Sequence, residues 1–354
     1  MKENKALPAV LAIGLALLFL FVLLKSDSNS IESTDLFFQE ENTSSLEVSA
    51  WIPWWDEERV LTSLDQSEDM LTTVLPVWYQ LKKDGTLEFT ASAKREVVRE
   101  AIKKKGLFVI PTIGNEFDPE RVSILLHDEE KQQDFFDDLI EEALIPGYDG
   151  WDLDWEYLDE GDKDAYSLFI QKLATVLHRE GLLLSVTVHA QTGTSSDWKI
   201  AQTHDYTKIG EYADMVRIMV YDFHHAESSP GAITPLDKLE EVLSFAVQNL
   251  PREKIIIGLP TYGYDWEEKG ESVQFIDAIQ RLSTLDGSWE RDEVSWELTG
   301  TYMKDNLTHT LWFVDSASIE KKIEKVLDSG VSRVCFWRIG GEDPTIWSML
   351  QTLR

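Results

Sequence analysis

Residues 149–157 read Asp149-Gly150-Trp151-Asp152-Leu153-Asp154-Trp155-Glu156-Tyr157, an alternation of acids with large apolar residues. A β-strand sends alternate side chains to opposite faces, so Asp152, Asp154 and Glu156 share one face while Trp151, Leu153 and Trp155 share the other. In a parallel barrel one strand face meets the surrounding helices and the other points into the packed interior. The tryptophans suit the helix face, which leaves the three acids pointing inward and rising toward the C-terminal mouth. Residues two apart on a strand are about 6.5–7 Å apart at the backbone, close enough for their carboxyls to share a proton, so at least one pKa should rise. Glu156, the last in line, is nearest solvent and is suited to act as a general acid. Asp154 beneath it stays charged or trades a proton with Asp152. This is glycosidase chemistry in outline, without an obvious second carboxylate placed as nucleophile across the bond.

From residue 47 onward, apolar β-branched runs alternate with helix-period segments, the mark of a parallel sheet. Eight strands are expected at 48–55, 72–79, 107–113, 150–157, 182–190, 214–222, 254–264 and 332–340. Helices are expected at 91–106, 130–144, 164–181, 236–250 and 318–330, with Gly106, Gly181 and Gly330 at plausible ends. The count points to a (β/α)8 TIM barrel over 47–354. The stretch 267–310 is too long for a simple connection and reads as a small α+β insertion between strands seven and eight, over the barrel mouth.

Ahead of the barrel, residues 7–24 form an apolar run of about 27 Å if helical, near the thickness of a bilayer core. Lys2 and Lys5 precede it, which fits a cytoplasmic N-terminus and export of the chain beyond Lys25. Residues 1–25 are therefore expected to be a single-pass transmembrane anchor or signal segment, with the barrel outside the cell membrane or secreted, and 26–46 a flexible tether.

A formal charge of -31 would repel nucleic acid, so no nucleic-acid partner is expected. The single Cys335 excludes an internal disulfide framework and a cysteine-built zinc site, no HExxH pair occurs, and His224 and His225 suit a loop. No metal and no cofactor is expected, and the chain is expected to act as a monomer. The 13 tryptophans leave large apolar surfaces to bury or to offer a ligand; Trp54, Trp55, Trp78 and Tyr79 either line sugar subsites or belong to the core.

The acidic strand has company. Its "DGWDLDWE" resembles the DGxDxDxE signature of glycoside hydrolase family 18, whose members include substrate-assisted enzymes. "MVYD" at 219–222, "GLPTYGYDW" at 258–266 and "VCFWRIGGEDPTIW" at 334–347 resemble that family's sixth, seventh and eighth strand segments. From about Val109 onward the chain resembles the bacterial spore-germination and cortical-fragment-lytic N-acetylglucosaminidase branch. The third strand departs from the chitinase pattern, ending in "PTIGN" where many have S-x-G-G, and the first two strands match less closely.

The resemblance implies a retaining glycosidase acting on β-1,4 linkages after N-acetylglucosamine, in peptidoglycan or a chitin-like glycan. It implies that Glu156 protonates the leaving oxygen and that the substrate's acetamido oxygen is the nucleophile. Asp154 would orient the acetamide, Asp152 would tune Asp154, and Tyr221 would donate to the acetamido carbonyl. Asp222, Trp337, Met219 and Tyr262 are implied as sugar-binding, Trp337 as an apolar floor under the ring. Asp149 is counted with them, although it suits the turn at the start of the strand better. A chitinase with the same chemistry and a non-catalytic, lectin-like barrel are the other readings.

Overall fold

A computed structural model describes residues 46–67, 69–90, 96–144, 147–194 and 198–353. The apolar run at 7–24 and nearly all of the expected tether lie outside them. Leu46, assigned above to the tether, is already buried in the core. Among the described residues no helix is long and apolar enough to cross a membrane.

Eight parallel strands close on themselves. They are Glu47–Ile52, Leu71–Leu81, the short segments Phe108–Val109 and Thr112–Gly114 taken together, Gly150–Asp154, Leu183–His189, Met215–Met219, Ile255–Pro260 and Arg333–Trp337. The first strand pairs in parallel with the second, Ala50 opposite Val74, and with the eighth, Ala50 opposite Phe336, which closes the ring. The third strand is broken at Pro111, whose nitrogen has no proton for the ladder. Expected helices appear at Glu96–Lys105, Glu129–Leu144, Lys163–Arg179, Leu236–Asn249 and Ser316–Asp328. Further helices at Glu57–Gln66, Pro119–Leu126, Tyr206–Tyr212 and Thr345–Thr352 are not among those expected.

Two apolar layers hold the barrel. Inside it, Trp51, Leu75, Val77, Ile110, Leu183, Met215, Ile256 and Cys335 fill the space between the strands. Outside it, a larger layer joins strands to helices and takes the tryptophan face of the fourth strand. Trp155 is fully buried there among Phe135, Tyr166 and Phe169, with ring centroids 5.2–6.0 Å away, and the Trp151 indole donates to the Leu139 carbonyl at 3.1 Å. That face anchors the acids opposite. Gly150 starts the strand because a Cβ there would lie 2.2 Å from the Leu183 carbonyl oxygen.

The insertion is larger than the expected 267–310. Tyr262–Trp266, read from sequence as the end of the seventh strand, belongs to a second, five-stranded antiparallel sheet with Gly270–Gln274, Leu307–Phe313, Leu298–Lys304 and Ser288–Arg291. Its core packs Val273, Leu298, Leu311 and Phe313 against helix Phe275–Thr284 through Ala278 and Leu282. The run 255–266 reads as one strand because every residue on both sides of Thr261 is buried, in one sheet or the other. At Thr261 itself the backbone N–H donates to the Trp337 carbonyl and the hydroxyl to the Arg338 carbonyl, where the chain passes between sheets.

Candidate active site

The fourth strand ends at Asp154, so Asp152 and Asp154 point into the barrel and Glu156 stands just beyond the last ladder pair, at the rim. Asp152 is fully buried at mid-height. Its carboxylate accepts from Ser185 at 2.5 Å, from Thr112 at 3.0 Å and from Thr187 at 3.1 Å to each oxygen. These partners come from the flanking third and fifth strands, where Thr112 and Ser185 sit directly opposite Asp152 in the register. Arg217, also fully buried, donates to the Ser185 hydroxyl from the sixth strand and so joins its charge to the network through that oxygen.

Asp154 is the strained member. One of its oxygens is buried with no hydrogen-bond partner. Burial first, then the charges of Glu156 and Asp152, push its carboxyl well above the usual carboxylate range. Burial, with the Asp222 charge adding to it, raises Glu156 to about 7. Near neutral pH Glu156 therefore passes between its acid and base forms at the rim, with a carboxyl of raised pKa directly beneath it.

Glu156 is held through its backbone. Asn115, just past the third strand and almost fully buried, accepts from the Glu156 N–H at 3.0 Å and donates to the Glu156 carbonyl at 2.7 Å. A two-point clamp on the peptide leaves the carboxyl free to face the cavity. Asn115 lies in "PTIGN", where the sequence leaves the family pattern, and that departure is the one signal pointing to it.

Tyr221 and Asp222 follow the sixth strand. Tyr221 lines the cavity, and burial, followed by the Asp154 and Glu156 charges, keeps its phenol protonated. Gly258 makes room for it: a Cβ there would meet the Ile218 carbonyl at 2.8 Å and the Tyr221 ring at 3.3 Å. Asp222 adopts φ 59°, and its carboxylate accepts from the hydroxyls of Tyr262 and, at 3.1 Å, Tyr264. Burial nonetheless raises it from its ordinary value. Both tyrosines belong to the insertion sheet, which thereby reaches into the site.

The cavity measures about 1230 Å3 and runs across the mouth of the barrel. Trp54 and Trp55 line it after the first strand, with Trp337 beside Trp55 at a 6.3 Å centroid separation; Phe117, Tyr157 and Trp198 also line it. Four of its lining residues, Glu116, Phe117, Tyr157 and Asp222, hold φ between 52° and 59°, a left-handed backbone that costs about 1–3 kcal/mol for a residue with a side chain. Such strain persists where surrounding packing over-determines it; among the described residues the other four non-glycine residues with positive φ, Asp286, Trp296, Asp305 and Asn306, lie in the insertion.

The structure sorts the expected residues. Asp152, Asp154, Glu156, Tyr221, Asp222, Met219 and Trp337 come together at this mouth, with Asp152 buried below the cavity wall. Tyr262 does not line the cavity; it is buried and acts on Asp222, while Tyr264 takes the lining position. Asp149 does not line the cavity. Its carboxylate accepts from the Val109 N–H at 2.7 Å, at the start of the strand and away from the cavity. Of the ambiguous aromatics, Trp54 and Trp55 line the cavity, whereas Trp78 and Tyr79 are core. His225 lines the cavity, and among the described residues no group of three or more His, Cys, Asp or Glu side chains is arranged to hold a metal ion. Arg217 and His189 are site residues that the sequence alone does not single out.

Carboxyls of raised pKa at the rim of an aromatic-walled cleft suit the cleavage of a glycosidic bond, and the protein is a glycoside hydrolase. Residues 47–342 match the family model described as glycosyl hydrolases family 18, and the chain belongs to that family. It is 26% identical over 302 residues to the cortical fragment-lytic enzyme of Bacillus subtilis, covering 83% of this chain and 70% of that protein. Among solved structures, the spore cortex-lytic enzyme SleL of Bacillus cereus superposes with a TM-score of 0.79 at 24% identity, over 86% of this chain and 73% of that one. A chitinase from Chromobacterium violaceum gives a TM-score of 0.78 at 23% identity, over 87% of this chain and 98% of that one. At these identities the structural likeness speaks to the fold.

Proposed function

We propose that the enzyme hydrolyses β-1,4 linkages after N-acetylglucosamine with retention, by substrate-assisted catalysis, and that its substrate is peptidoglycan. The observation that carries the mechanism is the state of the cavity's carboxyls. Glu116, Asp154, Glu156 and Asp222 line the cavity. Glu116 is paired with Arg121, Asp154 is buried beneath Glu156 with its carboxyl pushed well above the usual range, and Asp222 is committed to two tyrosine hydroxyls. None is a free carboxylate placed to attack, while Glu156, near 7, is matched to proton transfer at neutral pH. The nucleophile then comes from the substrate: the 2-acetamido oxygen attacks the anomeric carbon as Glu156 gives its proton to the departing oxygen. Asp154 meets the acetamide N–H and Tyr221 donates to its carbonyl. Water, deprotonated by Glu156, opens the oxazolinium ring and restores the original anomeric configuration.

The cell-wall substrate is supported by the cortical fragment-lytic relative at 83% coverage of this chain. The apolar run at 7–24 supports export, with the barrel outside the membrane or secreted. The test is digestion of purified peptidoglycan beside chitin oligomers, with wild type against Glu156→Gln and products read by mass and by the anomeric NMR signal of the first product formed. Cleavage of peptidoglycan with a new reducing N-acetylglucosamine end and β configuration is expected. Cleavage of chitin alone replaces the substrate, inversion removes the mechanism, and sugar binding without turnover by the wild type makes the barrel a lectin.

A further inference from the structure

The fifth barrel strand ends on His189, whose ring enters the cleft beside Glu156 and has no part in the chemistry above. Its Nδ1 stands 3.7 Å from Glu156 Oε2. The backbone is tied on both sides: the His189 N–H donates to His204 Nδ1 at 3.1 Å, and the His189 carbonyl accepts the Tyr206 hydroxyl at 2.7 Å. Since His204 Nδ1 accepts, the His204 proton sits on Nε2, which donates to the Trp155 carbonyl at 3.1 Å. Trp155 is the residue before Glu156. The fully buried His204 therefore links the end of the fifth strand to the end of the fourth and sets the spacing of His189 and Glu156. Tyr157 and Trp198 pack edge-on against the His189 ring, with centroids 6.1 and 5.2 Å away, and hold its orientation.

The two ring nitrogens of His189 are not equivalent. Nε2 is buried with no partner. A proton there would be a buried donor left unpaired, whereas a bare nitrogen is an unpaired acceptor, the milder of the two faults. That places the proton on Nδ1, facing Glu156. Burial lowers the ring to about 4, and His204 to about 3, so both are neutral at working pH. The other ionisable groups at this corner are Glu156, Tyr157, Asp154, Tyr221 and Asp222. In the proposed reaction Glu156 is the one that changes charge.

We infer that His189 is a positioning residue for the acid/base, its Nδ1–H closing onto Glu156 Oε2 as that carboxyl releases its proton. The proton goes from Glu156 to the glycosidic oxygen, and His189 keeps its own throughout. Such contacts are often long before substrate binds and tighten in the Michaelis complex. The inference rests on the proposed role of Glu156, and it carries a consequence for pH of definite sign. A donor to the carboxylate holds the Glu156 pKa down, so removing it raises that pKa and moves the alkaline limb of kcat/KM, which needs protonated Glu156, to higher pH.

Three variants separate this from packing. Asn places an amide N–H near the position of Nδ1, Gln places one near Nε2, and Leu supplies neither. His189→Leu and His189→Gln are expected to lower kcat about tenfold with KM little changed and to shift the alkaline limb upward, while His189→Asn stays within about twofold of wild type. Equal loss in all three, or an unshifted limb in His189→Leu, overturns the inference. A second readout needs no substrate: nitrogen-15 NMR of the full-length enzyme should show His189 as the Nδ1–H tautomer, with shifts that track a titration near pH 7 and no longer do so in Glu156→Gln. The Nε2–H tautomer overturns it. If the enzyme cleaves none of the glycans above, the functional reading fails and the spectra alone decide the placement of His189.

Discussion

Replacing Asp152 by Leu, a side chain of similar shape, empties the centre of the barrel of its one hydroxyl-bound carboxylate. Ser185, Thr112 and Thr187 lose their acceptor, and each buried donor left unpaired costs about 1–3 kcal/mol. Arg217, with no exposed surface, loses the anion it reaches through Ser185, and stripping one side of a buried charge network costs about 3–5 kcal/mol. The two losses overlap only at Ser185, so with Thr112 and Thr187 added a total destabilisation of at least about 5 kcal/mol is expected. Replacing both charges with apolar residues should be far milder, since no buried charge is then left without its partner. The assay is urea unfolding at pH 7 monitored by tryptophan fluorescence, for Asp152→Leu, Arg217→Met and the pair. The double variant should be more stable than the sum of the single losses by at least about 2 kcal/mol. Additive losses, or a single Asp152→Leu loss under about 1 kcal/mol, would refute the view that Asp152 and Arg217 form one unit.

Glu156→Gln should lower kcat about 100- to 10,000-fold in a peptidoglycan release assay while leaving glycan affinity in place, because the backbone clamp of Asn115 does not involve the carboxyl. The same variant should change stability with a definite sign. The folded pKa of about 7 lies above the ordinary 4.5, so the wild type loses stability as pH rises through that window, by roughly 3 kcal/mol, and thermal unfolding should find Glu156→Gln more stable than wild type at pH 8 but not at pH 4. Asp222→Asn removes a charge that helps raise Glu156, so the alkaline limb of kcat/KM should move to lower pH; an upward shift would contradict that coupling. Asn115→Ala frees both ends of the Glu156 peptide and should cost about 1–3 kcal/mol in unfolding free energy together with a fall in kcat larger than any rise in KM.

The faces of the fourth strand are legible because alternation is a local property. Trp151, Leu153 and Trp155 go to the helix layer and Asp152 and Asp154 inward, as their spacing requires. Boundaries are less legible where burial does not change. Tyr262–Trp266 reads as a continuation of the seventh strand because both sheets bury it, and Tyr262 accordingly reads as a sugar contact when it serves Asp222. Asp149, just ahead of the strand, suits the turn at its start by position, and its bond to the Val109 N–H agrees with that. Trp54 and Trp55 cannot be told from Trp78 and Tyr79 by composition, and only the path of the chain separates cavity wall from core.

What the chain declares by itself is the order of its strands, the inward line of acids and the position of Glu156 at the end of that line, all of which stem from a two-residue period. What the tertiary structure alone decides is the protonation and aim of those acids. Asp152 is held by residues 33 to 40 positions away, Asn115 clamps Glu156 across 41, and His204 reaches Trp155 across 49. Desolvation and hydrogen bonding set a carboxyl's pKa through whatever surrounds it in space, and no local pattern records those neighbours.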